Sequence, residues 1–322
     1  MDGHNVNTQT CSSKPKLATS HNCAQTDLCG TAEVPNSFSV NNLRTDEEFK
    51  AWTGVTKGFF TVLSKFIQST TESEKTVNRN LLIFLVKLKT NLSFNALAAL
   101  FVLNRHTVSR IFTEVLDKLY QEVKDLLYWF PRSTVNSRMP SSFKDKYPNC
   151  RVIIDATEVK CEKPKTLTQQ VQMYSNYKSS FTVKVLVGIA PSGEFTFVSK
   201  AFGGRVTDTF LTVNSGLLKL LEPGDVVLAD KGFPQIEPDL NNSGAFLVMP
   251  PFKRGDRQFS ENENIEGYLC SALRIHVERA IRRLKYFYIL SFLTTDLVPH
   301  IDKILVIISF LCNNMPELIK DH

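Results

Sequence analysis

Pro131, Pro140 and Pro148 interrupt the chain between residues 131 and 149, and the hydrophobic pattern on either side of this break differs in kind. Upstream, apolar residues recur at helical spacing. Downstream, they gather into short runs bounded by Gly and Pro, the texture of strands. Four segments are therefore expected: a polar tail over 1–45, a helical domain over 46–130, a linker over 131–149 and an α/β domain over 150–322.

In the upstream part, "DEEFKAWTGVTKGFFTVLSKFIQ" is expected to be helical beyond Gly54, and "NRNLLIFLVKLKTNLSFNALAALFVLNRHTVSRIFTEVLDKLY" predicts three helices in close succession. The last two have the form of a helix-turn-helix. Phe94 to Phe101 is the supporting helix, and Asn104 is a suitable N-cap for a second helix starting at Arg105. Val108, Ile111, Phe112 and Val115 fall on its buried side. Arg105, His106, Ser109 and Arg110 are left exposed, the polar and basic set that a recognition helix presents to a DNA major groove. A plain helical bundle fits the pattern as well, because Val102 stands where the turn glycine is usual.

Downstream, "RVIIDATEVK" reads as a strand, "FTVKVLVGIAP" and "GEFTFVSKAFGG" as two more joined by a tight Pro-Ser-Gly turn, and "TDTFLTVNSGLLKLL" as a helix capped by Thr207 or Asp208. Then "DVVLADKGF" and "GAFLVMP" supply two further strands before the long helix "LRIHVERAIRRLK". The expected product is a mixed sheet with helices against its faces.

Composition narrows the classes. With 322 residues and 43% hydrophobic content, the chain can build one sizeable core plus a smaller module. The first forty residues are polar and rich in Asn, Ser and Thr, expected to form a mobile tail, and no secretory signal is read there. The run "ILVIISFLC" from Ile304 is about half of what a bilayer requires and predicts a buried helix, so no membrane partner is expected. Seven cysteines without a C-x-x-C pair point to reduced thiols inside the cell; Cys11, Cys23 and Cys29, with His21 near, match no usual zinc spacing. The net charge of +6 permits a polyanionic partner without requiring one.

Three acids stand out. Asp155 follows the apolar run "VII" within a strand, and Asp230 ends "VVLA" just before Lys231-Gly232. Asp is depleted in strands, and a carboxylate near a packed sheet carries a desolvation cost unless a partner offsets it. On the long helix "LRIHVERAIRRLK", Leu273, Val277, Ala280, Leu284 and Phe287 form a core-facing stripe, and Glu278 lies on the polar side. Arg274 and Lys285 flank it, displaced by only about 40° and about 20°. Such a face also suits ordinary i,i+4 pairing in solvent. Three carboxylates drawn together from distant segments would repel one another unless divalent cations lay between them, and magnesium or manganese suits all-oxygen ligands. Two-metal sites of this kind serve phosphodiester chemistry, with Arg274 and Lys285 placed to hold DNA phosphates.

At these residues the sequence resembles the DDE superfamily of transposases, and within it the harbinger-type (PIF/Harbinger) group. The resemblance runs from about Asp46 to the C-terminus through "VIIDATEV", "MYSNYKSSFTVKVLVGIAPSGEFTFVSKAFGG", "EPGDVVLADKGF" and "RIHVERAIRRLK", with "TVSRIF" and "MPSSFKDKYP" upstream. It implies an RNase H-like fold preceded by an all-α helix-turn-helix domain. It also implies a catalytic and metal-binding triad of Asp155, Asp230 and Glu278 holding two Mg²⁺ or Mn²⁺ ions. The implied reaction is cleavage of DNA at transposon ends and joining of the 3′-hydroxyl to target DNA. DNA as partner, a homo-oligomer, a separate DNA-binding partner protein and nuclear residence are the corresponding expectations. The alternative is a domesticated, catalytically silent DNA-binding or scaffold protein. Three departures are visible: Ser271 stands at the related enzymes' Tyr position, nothing in the tail matches a THAP-type zinc domain, and "DCTE" appears as "DATE". Ala156, in place of Cys, is expected to point away from the acid beside it.

Further candidates are more local. Glu158 and Asp208 are candidates to support the acids, with a strand-end Glu and a helix cap as the plain alternatives. Tyr174, Asn176 and Lys178, within "YSNYK", mix aromatic, amide and basic groups as a nucleic-acid loop does. Lys253, Arg254 and Arg257 are candidates for phosphate contact. His276 points to the apolar side of its helix and is expected to be a satisfied core histidine.

Overall fold

The computed structural model describes residues 37–251 and 260–318. Five helices open it: α1 (Asp46–Thr53), α2 (Lys57–Ile67), α3 (Glu74–Thr90), α4 (Phe94–Phe101) and α5 (Arg105–Val123). Each has a side-chain N-cap, because Thr45, Thr56, Ser73, Ser93 and Asn104 accept backbone N–H groups of the first turn. Helix thus begins earlier than Gly54. A capping box of Thr45 and Glu48 starts α1, and Gly54 ends it with φ 81°. A side chain at Gly54 would also meet the Phe287 ring, its Cβ only 2.6 Å away, so this turn requires glycine twice over. Helix α3 is buried from Leu81 to Lys89 and forms the centre of the helical region.

Between residues 131 and 149 the prolines do break the chain, and two short helices start directly after them: α6 (Arg132–Ser137) after Pro131 and α7 (Ser141–Lys144) after Pro140.

The strands are β1 (Cys150–Cys161), β2 (Tyr174–Ser175), β3 (Ser180–Ile189), β4 (Phe195–Val198), β5 (Phe202–Gly203), β6 (Val226–Leu228), β7 (Phe246–Val248) and β8 (Phe292–Leu293). They form one mixed sheet in the order β2-β3-β1-β6-β7. Strands β4 and β5 also pair with β3, and β8 pairs with β1. Helices α8 (Leu167–Met173), α9 (Asp208–Asn214), α10 (Glu237–Asn242), α11 (Glu261–Leu284) and α12 (Ile301–Asn313) complete the fold.

Alternation along β1 and β3 gives the sheet two apolar faces. Ile153, Val159, Val183, Val185 and Val187 join a core with α3, α5, α11 and α12. Val152, Ile154 and Leu186 join a second core with Leu211 of α9 and Leu240 of α10. The first core is continuous from the opening helices to the sheet, and α12 packs against both α5 and β4. The "ILVIISFLC" run lies in α12 with Ile304, Leu305, Ile307 and Ile308 fully buried, as its apolarity predicts. Among the described residues no helix is long and apolar enough to cross a membrane. The architecture is a helical region with a helix-turn-helix, followed by a curled mixed sheet with flanking helices, an α/β fold of the RNase H-like kind.

Candidate active site

Strand β1 has a different neighbour pattern on each edge. Antiparallel β3 covers it continuously from Ile153 to Lys160. On the other edge, parallel β6 covers Cys150 to Ile153, and β8 covers only Lys160 and Cys161. Among the described residues the intervening stretch of that edge has no strand partner, so the sheet forks there. Asp155 stands in the fork, which is where an α/β sheet opens a crevice. This explains how an Asp persists inside a long strand: its carboxylate is half-buried rather than sealed in.

The last paired step between these strands is Ile153 with Leu228. Asp155 lies two residues beyond this pair on β1, and Asp230 two residues beyond it on the segment that leaves β6. By alternation Asp155 takes the face of Ile153, which is the face α11 covers. Asp155 Oδ1 accepts the N–H of Ala156 at 2.8 Å, and Asp230 Oδ1 accepts the N–H of Lys231 at 2.6 Å. These bonds to the following residue fix one oxygen of each carboxylate. Ala156 packs with the opposite core, so its side chain does point away from Asp155.

Helix α11 is held by Val277, Ala280 and Leu284, all at most 1% exposed, with Phe287 just beyond its end. Glu278 and Lys285 are exposed on its other side. The side chains of Leu273, Arg274 and Ser271 lie outside the described residues, as do Lys253, Arg254, Arg257 and the cysteines of the tail. Two oxygen-donor acids on adjoining strands suit a hard divalent cation. Among the described residues, however, no three His, Cys, Asp or Glu side chains form a group able to hold a metal ion. The fold thus sets Asp155 and Asp230 each two residues beyond the last β1–β6 pair, and among the described residues it gathers no three-acid cluster that includes Glu278.

Glu158 lies on the opposite face of β1 from Asp155, since the two positions are three apart and strand side chains alternate. It is near in sequence only. Its Oε2 accepts the Thr182 hydroxyl at 2.7 Å, and its Oε1 lies 3.6 Å from Lys184 Nζ. Lys184 also donates to Asp208 Oδ1 at 3.2 Å and to the Val206 carbonyl at 3.0 Å. Asp208 is the first residue of α9, where Thr207 is the cap. A Cβ at Gly232 would lie 3.4 Å from Asp208 Oδ2, so this carboxylate sits under the turn that follows Asp230. Lys184 was not singled out in the sequence; an isolated Lys within "FTVKVLVGIAP" was the available signal.

In the helix-turn-helix, Asn104 Oδ1 accepts the His106 N–H at 2.9 Å. Val108, Ile111, Phe112 and Val115 are buried, Arg105, His106 and Arg110 are exposed, and Ser109 is half-buried. Arg110 approaches Glu114 at 3.7 Å across one helical turn, a solvent-screened pair. In "YSNYK", Tyr174 is partly packed, its ring 5.5 Å from that of Phe181, while Asn176 and Lys178 are exposed. His276 is half-buried beside Phe143, with ring centroids 5.9 Å apart, but its Nδ1 has no hydrogen-bond partner. Burial, and then the charge of Arg279, lower its pKa.

The mixed sheet and its flanking helices define an RNase H-like α/β domain preceded by a helix-turn-helix. More narrowly, residues 154–313 match the family described as DDE superfamily endonuclease, and residues 76–125 match the helix-turn-helix of DDE superfamily endonuclease. The chain therefore carries a DDE superfamily endonuclease domain together with its helix-turn-helix domain. The first match spans β1 to α12 and contains all three acids; the second covers α3 to α5. No curated protein and no solved structure matches the chain.

Proposed function

We propose that this chain is a metal-dependent DNA endonuclease and strand transferase of the harbinger type. The observation that carries the proposal is the DDE superfamily endonuclease match over residues 154–313, within which Asp155 and Asp230 each follow the last pair of the adjoining strands β1 and β6 by two residues. Asp155 and Asp230 would hold the divalent cations through their carboxylate oxygens, with Glu278 brought in from α11 as the third ligand. Mg²⁺ or Mn²⁺ supplies, when bound, a lowered pKa for the attacking water or 3′-hydroxyl and stabilisation of the leaving oxygen. Lys285 and Arg274 hold the phosphates beside the acids. Arg105, His106, Ser109 and Arg110 read the duplex, and the exposure of Arg105, His106 and Arg110 on α5 supports that role, with Ser109 half-buried beside them. Glu158 and Asp208 act through Lys184 on the turn after Asp230. Nuclear residence, a homo-oligomer and a separate DNA-binding partner protein belong to the same proposal.

A second reading is a DNA-binding or scaffold protein that keeps the fold without the reaction, and the exposed Arg105, His106 and Arg110 of α5 suit it equally. Incubation of supercoiled plasmid and of oligonucleotide ends with the protein and Mg²⁺ or Mn²⁺ separates the two. Nicking supports the first; binding without nicking supports the second.

A further inference from the structure

The turn between β2 and β3 consists of Asn176, Tyr177, Lys178 and Ser179. It is closed by the Tyr174–Phe181 and Ser175–Ser180 pairs of the ladder. Ser175 Oγ accepts the Lys178 N–H at 3.2 Å, and Ser179 adopts a left-handed φ of 47°. The packed ring of Tyr174 anchors the base of this turn. At its tip, Tyr177 is 83% exposed, the most exposed large hydrophobic side chain among the described residues. Lys178 Nζ lies 4.4 Å from the centre of its ring.

A tyrosine held outward in this way adds almost no burial to the fold, yet the turn is built to keep it there. Further cations lie at the same end of the sheet. Because β1 and β3 are antiparallel, the end of β1 and the segment after it lie at the same end of the sheet as this turn. Lys160, Lys163 and Lys165 are exposed in that segment. Glu162, the acid among them, is engaged by Thr295, whose N–H and hydroxyl both donate to Oε2, at 2.8 and 2.7 Å. An exposed aromatic face beside several cations is what an unpaired nucleotide requires: a ring for the base and charges for its phosphates.

We propose that Tyr177 stacks on an unpaired base of DNA, while Lys178 and the lysines after β1 hold the neighbouring phosphates. The proposal rests on the DNA-processing function above and adds its substrate class: DNA with unpaired nucleotides at the site, in preference to intact duplex. Any base presents a suitable face, so the contact is tolerant of sequence.

The test uses the full chain in EDTA, so that cutting does not interfere. Fluorescence anisotropy compares a blunt duplex with the same duplex carrying a single-stranded overhang, and 2-aminopurine in the overhang reports stacking. Wild type is expected to prefer the overhang DNA and to quench 2-aminopurine. Tyr177→Ala should lose the quenching and bind overhang DNA about 5- to 150-fold more weakly, with Tyr177→Phe and Tyr177→Trp retaining both. Thermal melts of all variants check that each is folded. The proposal is overturned if Tyr177→Ala binds and quenches like wild type, if Tyr177→Phe or Tyr177→Trp fails to retain binding while folded, if wild type shows no preference for the overhang, or if no DNA is bound. Plasmid cutting with Mg²⁺ is scored separately. Absence of cutting with stacking intact would overturn only the catalytic part of the proposed function.

Discussion

Lys184 of β3 lies directly across the ladder from Glu158 of β1, with Nζ 3.6 Å from Oε1, and both side chains are nearly buried, at 12% and 7% exposed. Lys184→Met leaves Glu158 without a cation in a region of low dielectric, and the loss of stability is expected to be about 3 kcal/mol. Glu158→Gln should cost less, and the double variant should cost less than the sum of the two single ones. Urea unfolding of the four proteins measures that coupling.

Val102 ends α4 with φ 52° and ψ 50°, a left-handed conformation that a β-branched residue adopts only under strain. Its side chain is 49% exposed, so little packing is at stake. Val102→Gly is expected to stabilise the chain by about 1 kcal/mol, whereas Asn104→Ala, two residues on, removes the cap of α5 and should destabilise it by about 1 kcal/mol. Thermal melts of the two variants should therefore shift in opposite directions.

Lys87 is 3% exposed and donates to Asn91 Oδ1 and the Leu92 carbonyl at 3.0 and 2.8 Å. Burial pushes its pKa down from the usual 10.5 to about 8. The unfolded chain then binds more protons than the folded one between those two values, so this residue makes stability rise with pH across that window. The contribution is of order 3 kcal/mol, fully present above the unfolded pKa and lost as pH falls towards the folded one. Denaturant titrations at pH 8, 9 and 10 should show a difference between wild type and Lys87→Met that changes in wild type's favour as pH rises.

Arg105 and Arg110 are exposed on the first turns of α5. If they contact the duplex as proposed, Arg105→Ala and Arg110→Ala weaken DNA binding, and loss of a phosphate contact lowers the slope of log K against log salt by about 1. Affinities measured across a salt series supply both quantities.

Legibility in the sequence followed the range of the interactions. The caps, the buried stripe of α5 and the apolar runs of β1, β3 and α12 are set by neighbouring residues, and periodicity reveals them. Strands β2, β5 and β8 hold two residues each, too few to show any period, and they exist because β3 and β1 offer them open edges. Helix α1 was hidden by Gly54, which marks its end rather than the start of helix. The opposite facing of Asp155 and Glu158 was readable from their odd spacing alone. The Lys184 bridge was not, because α9 approaches β3 only in the folded chain. That Asp155 and Asp230 belong to neighbouring parallel segments depends on β1 pairing with β6, which no local pattern specifies.

Asp155, Asp230 and Glu278 are proposed to act together on DNA. Cleavage of supercoiled plasmid in Mg²⁺ or Mn²⁺ by wild type, Asp155→Asn, Asp230→Asn and Glu278→Gln tests this, with folding checked by thermal melts and DNA binding by anisotropy. Wild type is expected to nick the plasmid only with metal, and each variant to lose about a hundredfold or more of that activity with binding retained. Equal nicking by wild type and any one folded variant, or a wild type that binds DNA and never cuts it, would refute the joint role of the three acids.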